Sequence, residues 1–409
     1  MIKSNSFIAS SFSTAAKTIS NFGLFFLIGH FYEPSVFSQY IYISVIAAFL
    51  AAVVDMGYST KIVVDFTEKK QSRALHESYL VRGFASLSII FLFLIFSFFY
   101  DFNMLFLLIF INSVLTCWLE SFSFSLRFES KYWLEFFFTT LVHFFPFLIS
   151  ACLLVLNVQL DTLFLFSSVV KFCVFVFLYL KLKRDNVTWE NIKGELFQCR
   201  RFFVDSLSMN IQPFFQVFIA KLFLASSEFI IFGYAQKIIQ AFTTLFSAIN
   251  NVFYPSLASN WALKEVVRNK IKNFFLVVNS LPCCALLFSL FYYLSPLDFS
   301  GFLNGKYIDL LGVLSICSFV VMIRFNNAVL GCLLILSGMQ KLRAKVNIIS
   351  FLIEITSVLL ICQIYPFKNA LLGVIVFSNL FILTSYLWAI YNDENLSSIV
   401  FNWKENKVK

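Results

Sequence analysis

The sequence predicts an all-α integral membrane protein with twelve transmembrane helices in two six-helix lobes and both termini in the cytoplasm. Three observations support this prediction: an apolar composition, twelve apolar runs, and an uneven distribution of Lys and Arg between the connections. Of the 409 residues, 60% are hydrophobic and 13% are charged, whereas soluble domains are about half apolar and about a quarter charged. This composition excludes soluble enzymes, disordered proteins and nucleic-acid binders as function classes.

The twelve apolar runs are each bounded by charged or turn-forming residues. They lie at about 6–31, 38–58, 83–100, 103–126, 134–156, 160–182, 203–224, 229–252, 272–294, 308–336, 346–365 and 368–391. A membrane crossing needs roughly 20 apolar residues, so twelve crossings leave about a dozen residues for each connection. No separate extramembrane domain fits. The longest polar stretch, at about 183–201, lies at the middle of the chain and indicates two lobes, 1–190 and 191–409.

The cations are concentrated in connections on one side of the predicted membrane. That side carries 24 Lys and Arg residues, whereas the opposite side carries only Lys306 and Lys368. The positive-inside rule assigns the cation-rich side to the cytoplasm, and an even number of helices then places both termini there. The net charge of +9 follows from this asymmetry, so we predict no nucleic-acid partner.

Ionisable residues within the apolar runs are the candidates for a functional site. A charge at bilayer depth costs at least about 2.5 to 3.5 kcal/mol, so such residues normally face a protein interior or a wet cavity. The candidates are the cations Lys17, Lys171, Lys221, Lys237 and Arg324 and the carboxylates Glu120, Glu354 and Asp205. Most of them share a helix face with Ser, Thr, Asn or Gln residues at helical spacing. We therefore expect polar faces that converge on one electropositive cavity.

Each candidate also has a structural interpretation. Lys221 lies near the outer end of its helix and can extend to the lipid headgroups. Glu120 and Glu354 can be ion-pair partners of buried cations instead of coupling residues. For the other cations, the alternative is an internal ion pair that holds the bundle together. We expect His143 to be a hydrogen-bonded core residue and Asp55 to be a cap or loop contact.

The sequence contains none of the motifs tested for enzymatic catalysis, so we predict a transporter. Walker A, G-x-S-x-G and H-E-x-x-H sequences are absent, and the nine cysteines have no C-x-x-C or Cys/His spacing that predicts a disulfide framework or metal site. An excess of interior cations suits a substrate with phosphate or carboxylate groups, because Arg and Lys replace the water that such groups lose.

Several segments resemble the Wzx-type O-antigen and capsule translocases, which are polysaccharide flippases of the MOP superfamily that also contains the MATE drug exporters. They are Phe232-Gly233-Tyr234-Ala235-Gln236-Lys237-Ile238, Tyr254-Pro255-Ser256-Leu257, Asp55-Met56-Gly57-Tyr58, Gly305-Lys306-Tyr307 and Leu336-Ser337-Gly338-Met339-Gln340-Lys341. The resemblance implies a MATE/MOP-like fold in the bacterial inner membrane, with a central cavity between two six-helix lobes. It also implies that undecaprenyl-diphosphate-linked oligosaccharide moves from the cytoplasmic to the periplasmic leaflet. Lys17, Lys171, Lys237 and Arg324 are the positions that we match to the family's buried basic residues.

The resemblance further implies alternating access and partners in the same pathway. These are the lipid-linked glycan, the lipid bilayer, and the polymerase and chain-length proteins. No cofactor is expected; a proton or sodium gradient supplies the drive, with Glu120, Glu354 or Asp205 as coupling candidates. Two alternatives remain open. A MATE-type drug/cation antiporter would need an anionic interior, and a polysaccharide polymerase or ligase would need a long periplasmic loop, whereas the longest outside connection here is about a dozen residues.

Overall fold

In a computed structural model of the chain, the structure describes residues 4–58, 61–62, 65–66, 70–97, 103–181, 189–258, 264–294, 308–364 and 368–400. These residues are almost entirely helical and include no β-strand. The main helices within these ranges are α1 (Ser4–Phe31), α2 (Pro34–Asp55), α3 (Gln71–Ser97), α4 (Met104–Phe128), α5 (Tyr132–Val155), α6 (Leu160–Lys181), α7 (Trp189–Phe223), α8 (Ser226–Ala258), α9 (Lys264–Leu294), α10 (Ile308–Leu336), α11 (Gln340–Ile364), α12 (Lys368–Asn392) and α13 (Glu394–Val400).

Eight helices of the described chain, α2 to α6 and α10 to α12, are long and apolar enough to cross a membrane. Their outer faces are also apolar. On α3, for example, Phe84, Leu87 and Phe91 follow one face and remain 56%, 68% and 64% exposed, as expected of side chains in contact with lipid. The all-α, multi-pass fold class is therefore confirmed, whereas twelve crossings and cytoplasmic termini stay predictions.

Three helices begin earlier in the sequence than the apolar runs predict. The runs placed these starts at about 83, 203 and 272, but α3 begins at Gln71, α7 at Trp189 and α9 at Lys264. Hydropathy detects only the residues that lipid surrounds, whereas helical hydrogen bonding continues into polar sequence beyond the membrane. The sequence pattern places Arg82 among the cations of the cytoplasmic loop between the second and third apolar runs, but Arg82 lies within α3.

The chain forms two compact units, Met1–Phe215 and Gln216–Lys409, and the sequence-based lobe boundary after residue 190 stays a prediction. In unit 1, α1 packs along α5, and α4 packs against α2 and α6. In unit 2, α10 packs against α8, α9 and α12, and the short helix α13 packs on α9 and α12. Each unit thus has one helix, α4 or α10, that packs against several neighbours.

Helix α5 contains a π-helical turn at Thr140–Phe144, and α1 contacts α5 on both sides of it. Before the turn, Ser13 Oγ donates a hydrogen bond to Thr139 Oγ1 at 2.9 Å. After the turn, Gly23 faces the Phe147 ring so closely that an added Cβ would lie 2.9 Å from two ring carbons. The turn thus sets the register between the two contacts and places His143 in the interior.

Candidate functional site

The first candidate site is a polar cluster among α1, α4 and α6 in unit 1. Lys17 of α1 forms an ion pair with Glu120 of α4. One turn earlier on α4, Thr116 Oγ1 accepts a hydrogen bond from Lys171 Nζ of α6 at 2.8 Å. Lys171 also interacts electrostatically with Glu120 and Lys17. Three residues predicted from separate apolar runs are therefore brought together, and their combined charge is +1.

This unit 1 cluster is partly accessible and partly buried. The side chains of Lys17 and Glu120 are 31% and 26% exposed, whereas Lys171 is only 6% exposed. Buried His143, in the π-helical turn of α5, lies within the electrostatic range of both lysines. The predicted core position of His143 is therefore observed, and it places a titratable ring beside the two cations.

Helix α4 positions the cluster because its polar residues recur at helical spacing on one face. Asn112 accepts a hydrogen bond from Ser167 of α6 at 2.9 Å, Thr116 and Glu120 contact the two lysines, and Arg127 pairs with Glu135 of α5 at 2.5 Å. Asn103 caps the helix, since its Oδ1 accepts from the Phe106 amide. A single capped helix thus presents successive polar groups to α6, α1 and α5.

A separate candidate site surrounds Glu354 of α11 in unit 2. This carboxylate is 2% exposed and accepts hydrogen bonds from Gln216 Nε2 of α7 and from Ser378 Oγ of α12, the latter at 2.5 Å. Gln216 Oε1 in turn accepts from Gln236 of α8 at 2.6 Å. Arg324 of α10 interacts with Glu354 electrostatically. Arg324 is therefore within electrostatic range of Glu354, whose carboxylate accepts hydrogen bonds from neutral amide and hydroxyl groups.

Two of the remaining predicted site residues, Lys237 and Lys221, have other contacts. Lys237 donates to Gln240 on its own helix, with Nζ and Oε1 separated by 3.3 Å. Lys221 lies near the end of α7, where its Nζ is 5.0 Å from the ring centroid of Phe229. The side chain of Asp205 is outside the described residues.

Unit 1 also contains a buried ion network that the sequence analysis did not identify. Arg82 of α3 is completely buried and pairs with Asp55 at 2.5 Å. Lys61 lies between Asp65 and Glu195, at 2.7 Å and 2.5 Å. These cations were counted among the residues of a cytoplasmic loop. Their partners lie up to 134 residues away, so a local hydropathy pattern contains no signal for the pairing.

Tyr58 connects the two ion pairs of this network. Its ring centroid is 5.2 Å from Arg82 Cζ and 5.4 Å from Lys61 Nζ, both within the range of cation–π attraction. Nearby on α7, burial raises the pKa of the Cys199 thiol to about 11, a rise that Tyr58 and Lys61 oppose. The network is thus a buried structural connection among α2, α3 and α7.

Neither cluster has the ligand set of a metal centre. Within the described ranges, no group of three or more His, Cys, Asp and Glu side chains could hold a metal ion. The unit 1 cluster can attract an anion, and the Glu354 cluster can take up a proton or another small cation that oxygen atoms bind.

No protein-family model matches this chain, and no curated protein matches its sequence. Solved structures do match its fold. A MOP superfamily transporter from Pyrococcus furiosus has a TM-score of 0.62 at 14% identity over 96% of this chain and 95% of that chain. A eukaryotic MATE transporter has a TM-score of 0.59 at 14% identity over 97% and 95% of the two chains.

An inward-facing multidrug resistance MATE family transporter of the MOP superfamily has a TM-score of 0.59 at 13% identity. That match covers 98% of this chain and 96% of the other. At such low identity these matches establish the fold alone. The protein therefore has the multi-pass helical fold of the MATE transporters of the MOP superfamily.

Proposed function

We propose that this protein is a flippase for lipid-linked oligosaccharides in the bacterial inner membrane. Its substrate is an undecaprenyl-diphosphate-linked repeat unit of O antigen or a related surface polysaccharide, which it moves from the cytoplasmic to the periplasmic leaflet by alternating access. The observation that carries this proposal is the unit 1 cluster, in which Lys17 and Lys171 lie near the same carboxylate, Glu120. Its positive charge suits a diphosphate group.

The charges of unit 2 support the same substrate class. Lys237 and Arg324 carry two positive charges, and the one carboxylate among the predicted site residues of this unit is Glu354, which interacts electrostatically with Arg324. The predicted cavity residues of this unit therefore also carry more positive than negative charge. An anionic head group would replace hydration that these cations lack within the bilayer.

One of the similar structures supports the use of charge as a criterion of function. The Pyrococcus furiosus transporter is described as having a reversed polarity of its binding pocket that suggests a different function. Pocket charge is thus a property in which proteins of this fold differ. For the present chain, a cationic cluster favours an anionic substrate over the cationic drugs of an antiporter.

The second candidate function is a MATE-type drug/cation antiporter, because the same fold is found in multidrug transporters. A specific observation in its favour is the buried carboxylate of Glu354, which accepts hydrogen bonds from neutral amide and hydroxyl groups.

In the flippase proposal, Glu354 takes up the coupling proton or sodium ion, with Glu120 as the other described candidate. A polymerase and chain-length proteins of the same pathway would then act on the exported repeat unit.

The test is repeat-unit export in a strain that lacks the chromosomal copy of the gene. Lys171→Ala should lower export at least about tenfold at unchanged protein level, because a hydrogen bond to a charged group contributes about 1.5 to 3 kcal/mol. Lys171→Arg should retain more export than Lys171→Ala. The matched control is Lys345→Ala, which removes an exposed cation from α11 and should leave export unchanged.

The same assay should show losses for Lys237→Ala and Arg324→Ala. Full export in all three alanine variants would contradict the cationic site. Unchanged export combined with a raised intracellular drug concentration would identify the protein as an antiporter instead.

A further inference from the structure

Unit 2 contains a second feature that could bind a ligand, a groove along the first half of α9. The groove has a volume of about 600 Å³, which is within the usual range of ligand pockets. It is lined by Arg268, Ile271, Lys272, Phe275, Leu276, Asn279, Ser280, Cys283, Ile399 and Val400. The α9 residues share one face over four turns, a length of about 22 Å. We refer to this feature as the α9 groove.

The α9 groove is basic at one end and mainly apolar along its length. Arg268 and Lys272 are one turn apart at its basic end, and none of its ten lining residues is acidic. Ile271 and Ile399 form a buried wall between α9 and α13. Leu276, in contrast, is 66% exposed. An occupant that contacts both parts must carry an anionic group and a flexible apolar chain.

The amide side chain among the lining residues of the groove already has a polar partner. Asn279 exchanges two hydrogen bonds with Asn326 of α10, at 3.1 Å and 2.9 Å. The amide of Asn279 is therefore already hydrogen-bonded and needs no sugar or peptide group as a partner. This arrangement favours a hydrocarbon chain as the occupant of the apolar length of the groove.

The sequence of α9 places the groove at a membrane surface. The helix begins with the basic stretch of residues 264–272 and continues with the apolar stretch that follows, so the transition from water to lipid lies near Lys272. The predicted topology assigns this end to the cytoplasmic leaflet. Basic pockets between helices on that side are suited to anionic lipid head groups.

We propose that the α9 groove binds an anionic glycerophospholipid. Arg268 and Lys272 contact its phosphate, and one acyl chain lies against Phe275 and Leu276. The length of the groove exceeds the roughly 15 Å thickness of one hydrocarbon leaflet, so an acyl chain can follow α9 into the bilayer. This proposal concerns a site distinct from Lys17, Lys171 and Glu120, and it holds whether the protein transports a glycan or a drug.

Native mass spectrometry of the full-length protein in detergent provides the test, with dioleoylphosphatidylglycerol and dioleoylphosphatidylcholine as the lipid probes. The wild type should retain phosphatidylglycerol in preference to phosphatidylcholine. The double variant Arg268→Gln/Lys272→Gln should retain at least about tenfold less phosphatidylglycerol, because it loses two cations at the lipid phosphate. Leu276→Trp keeps both cations and should also lower retention by filling the apolar part.

The matched control is Lys341→Gln/Lys345→Gln, which removes two exposed cations from α11 on the same predicted membrane side. Its retention should equal that of the wild type. Equal retention of both lipids by the wild type, or unchanged retention in Leu276→Trp, would overturn the proposal. Displacement of the lipid by inorganic phosphate alone would also overturn it, since the site would then recognise the anion without the chain.

Discussion

Arg82 and Asp55 are both buried, so each needs the opposite charge of the other to offset its loss of hydration. Arg82 also donates to Ser121 and contacts the Tyr58 ring. The substitution Arg82→Ala leaves the Asp55 carboxylate buried without its cation, which usually costs about 3 to 5 kcal/mol. We expect a large decrease in the thermal midpoint of the detergent-solubilised protein, measured by tryptophan fluorescence.

Two variants examine the cause of that decrease. Arg82→Ala combined with Asp55→Ala should recover part of the lost stability, because the second change removes the isolated charge. Lys193→Ala, which removes an exposed cation of unit 1, should change stability by less than about 0.5 kcal/mol. If Arg82→Ala were as stable as Lys193→Ala, the buried pair would not contribute as described.

Gly57 is the second residue whose environment predicts a large effect. Its φ of +77° is in the left-handed region, and an added Cβ would overlap the backbone of Phe202. Gly57→Ala should therefore lower the free energy of unfolding by more than the roughly 1 to 2 kcal/mol of the backbone conformation alone.

Gly194 provides the matched glycine control. It lies within α7 with open space around its Cα. Gly194→Ala should stabilise the protein by about 0.5 to 1 kcal/mol in the same unfolding measurement. Equal effects of the two substitutions would contradict the close approach of Phe202.

At the scale of the helices, α7 differs most from its sequence-based description. Its first turns precede the predicted apolar run, and they carry Glu195 and Cys199, which are both buried against the Lys61 network. The polar start of α7 is therefore an internal packing element of unit 1. A hydropathy average could not show this, because Glu195 appears in the sequence as one charge within a polar stretch.

The pKa of Cys199 provides a measurement of this packing. Since burial raises its pKa to about 11, the thiolate fraction should still increase with pH between 9 and 11. Single-cysteine proteins labelled with iodoacetamide should show this rise at Cys199. An introduced cysteine at exposed position 193 (Lys193→Cys) should reach its plateau near the ordinary thiol pKa of about 8.5.

The same shift predicts the sign of a stability effect. An unfolded chain with a lower thiol pKa loses its proton first as pH rises, so the native state binds more protons and its stability falls between about pH 9 and 11. Glu195→Gln should weaken the contact with Lys61 and increase the labelling rate of Cys199. Identical labelling of Cys199 and the reference position would contradict the buried environment.

Helix α4 shows what the sequence could predict about the site. Polar residues at helical spacing correctly indicated that Thr116 and Glu120 share a face directed toward other helices. The pattern did not identify Lys171 as the partner of Thr116, because the spacing of Ser167 and Lys171 shows only that they share a face of α6 and not which helix that face contacts. The Asp55-Met56-Gly57-Tyr58 segment was one of the five that carried the resemblance, and the structure adds physical roles for it in an ion pair, a left-handed turn and a ring contact.

For the whole molecule, composition and apolar run length were sufficient to predict a multi-pass helical fold. Composition and run length reflect the lipid that surrounds the helices and not contacts with particular residues, so a single sequence is enough to show them. The substrate depends on which side chains share a cavity, and the buried cations divide between internal pairs and the candidate site. That division required tertiary contacts such as the one between Lys17 and Glu120, which are 103 residues apart.

The predicted topology leads to a whole-molecule test with reporter fusions. A fusion of green fluorescent protein at the C-terminus should fluoresce, and alkaline phosphatase at the same position should be inactive, because both report a cytoplasmic location. Alkaline phosphatase inserted after Asn157, between α5 and α6, should be active. The reverse pattern at both positions would contradict the orientation inferred from the cations.

The π-helical turn of α5 has a consequence for how this chain can change in length. One residue more or less in a helix rotates everything beyond it by about 100°. A single-codon deletion within 140–144 would leave the Ser13–Thr139 contact in place and swing Phe147 away from Gly23. An insertion or deletion at 140–144 therefore rotates the second half of α5 relative to α1. The residue at position 23 would then have to change as well, because it would face a different side chain of α5.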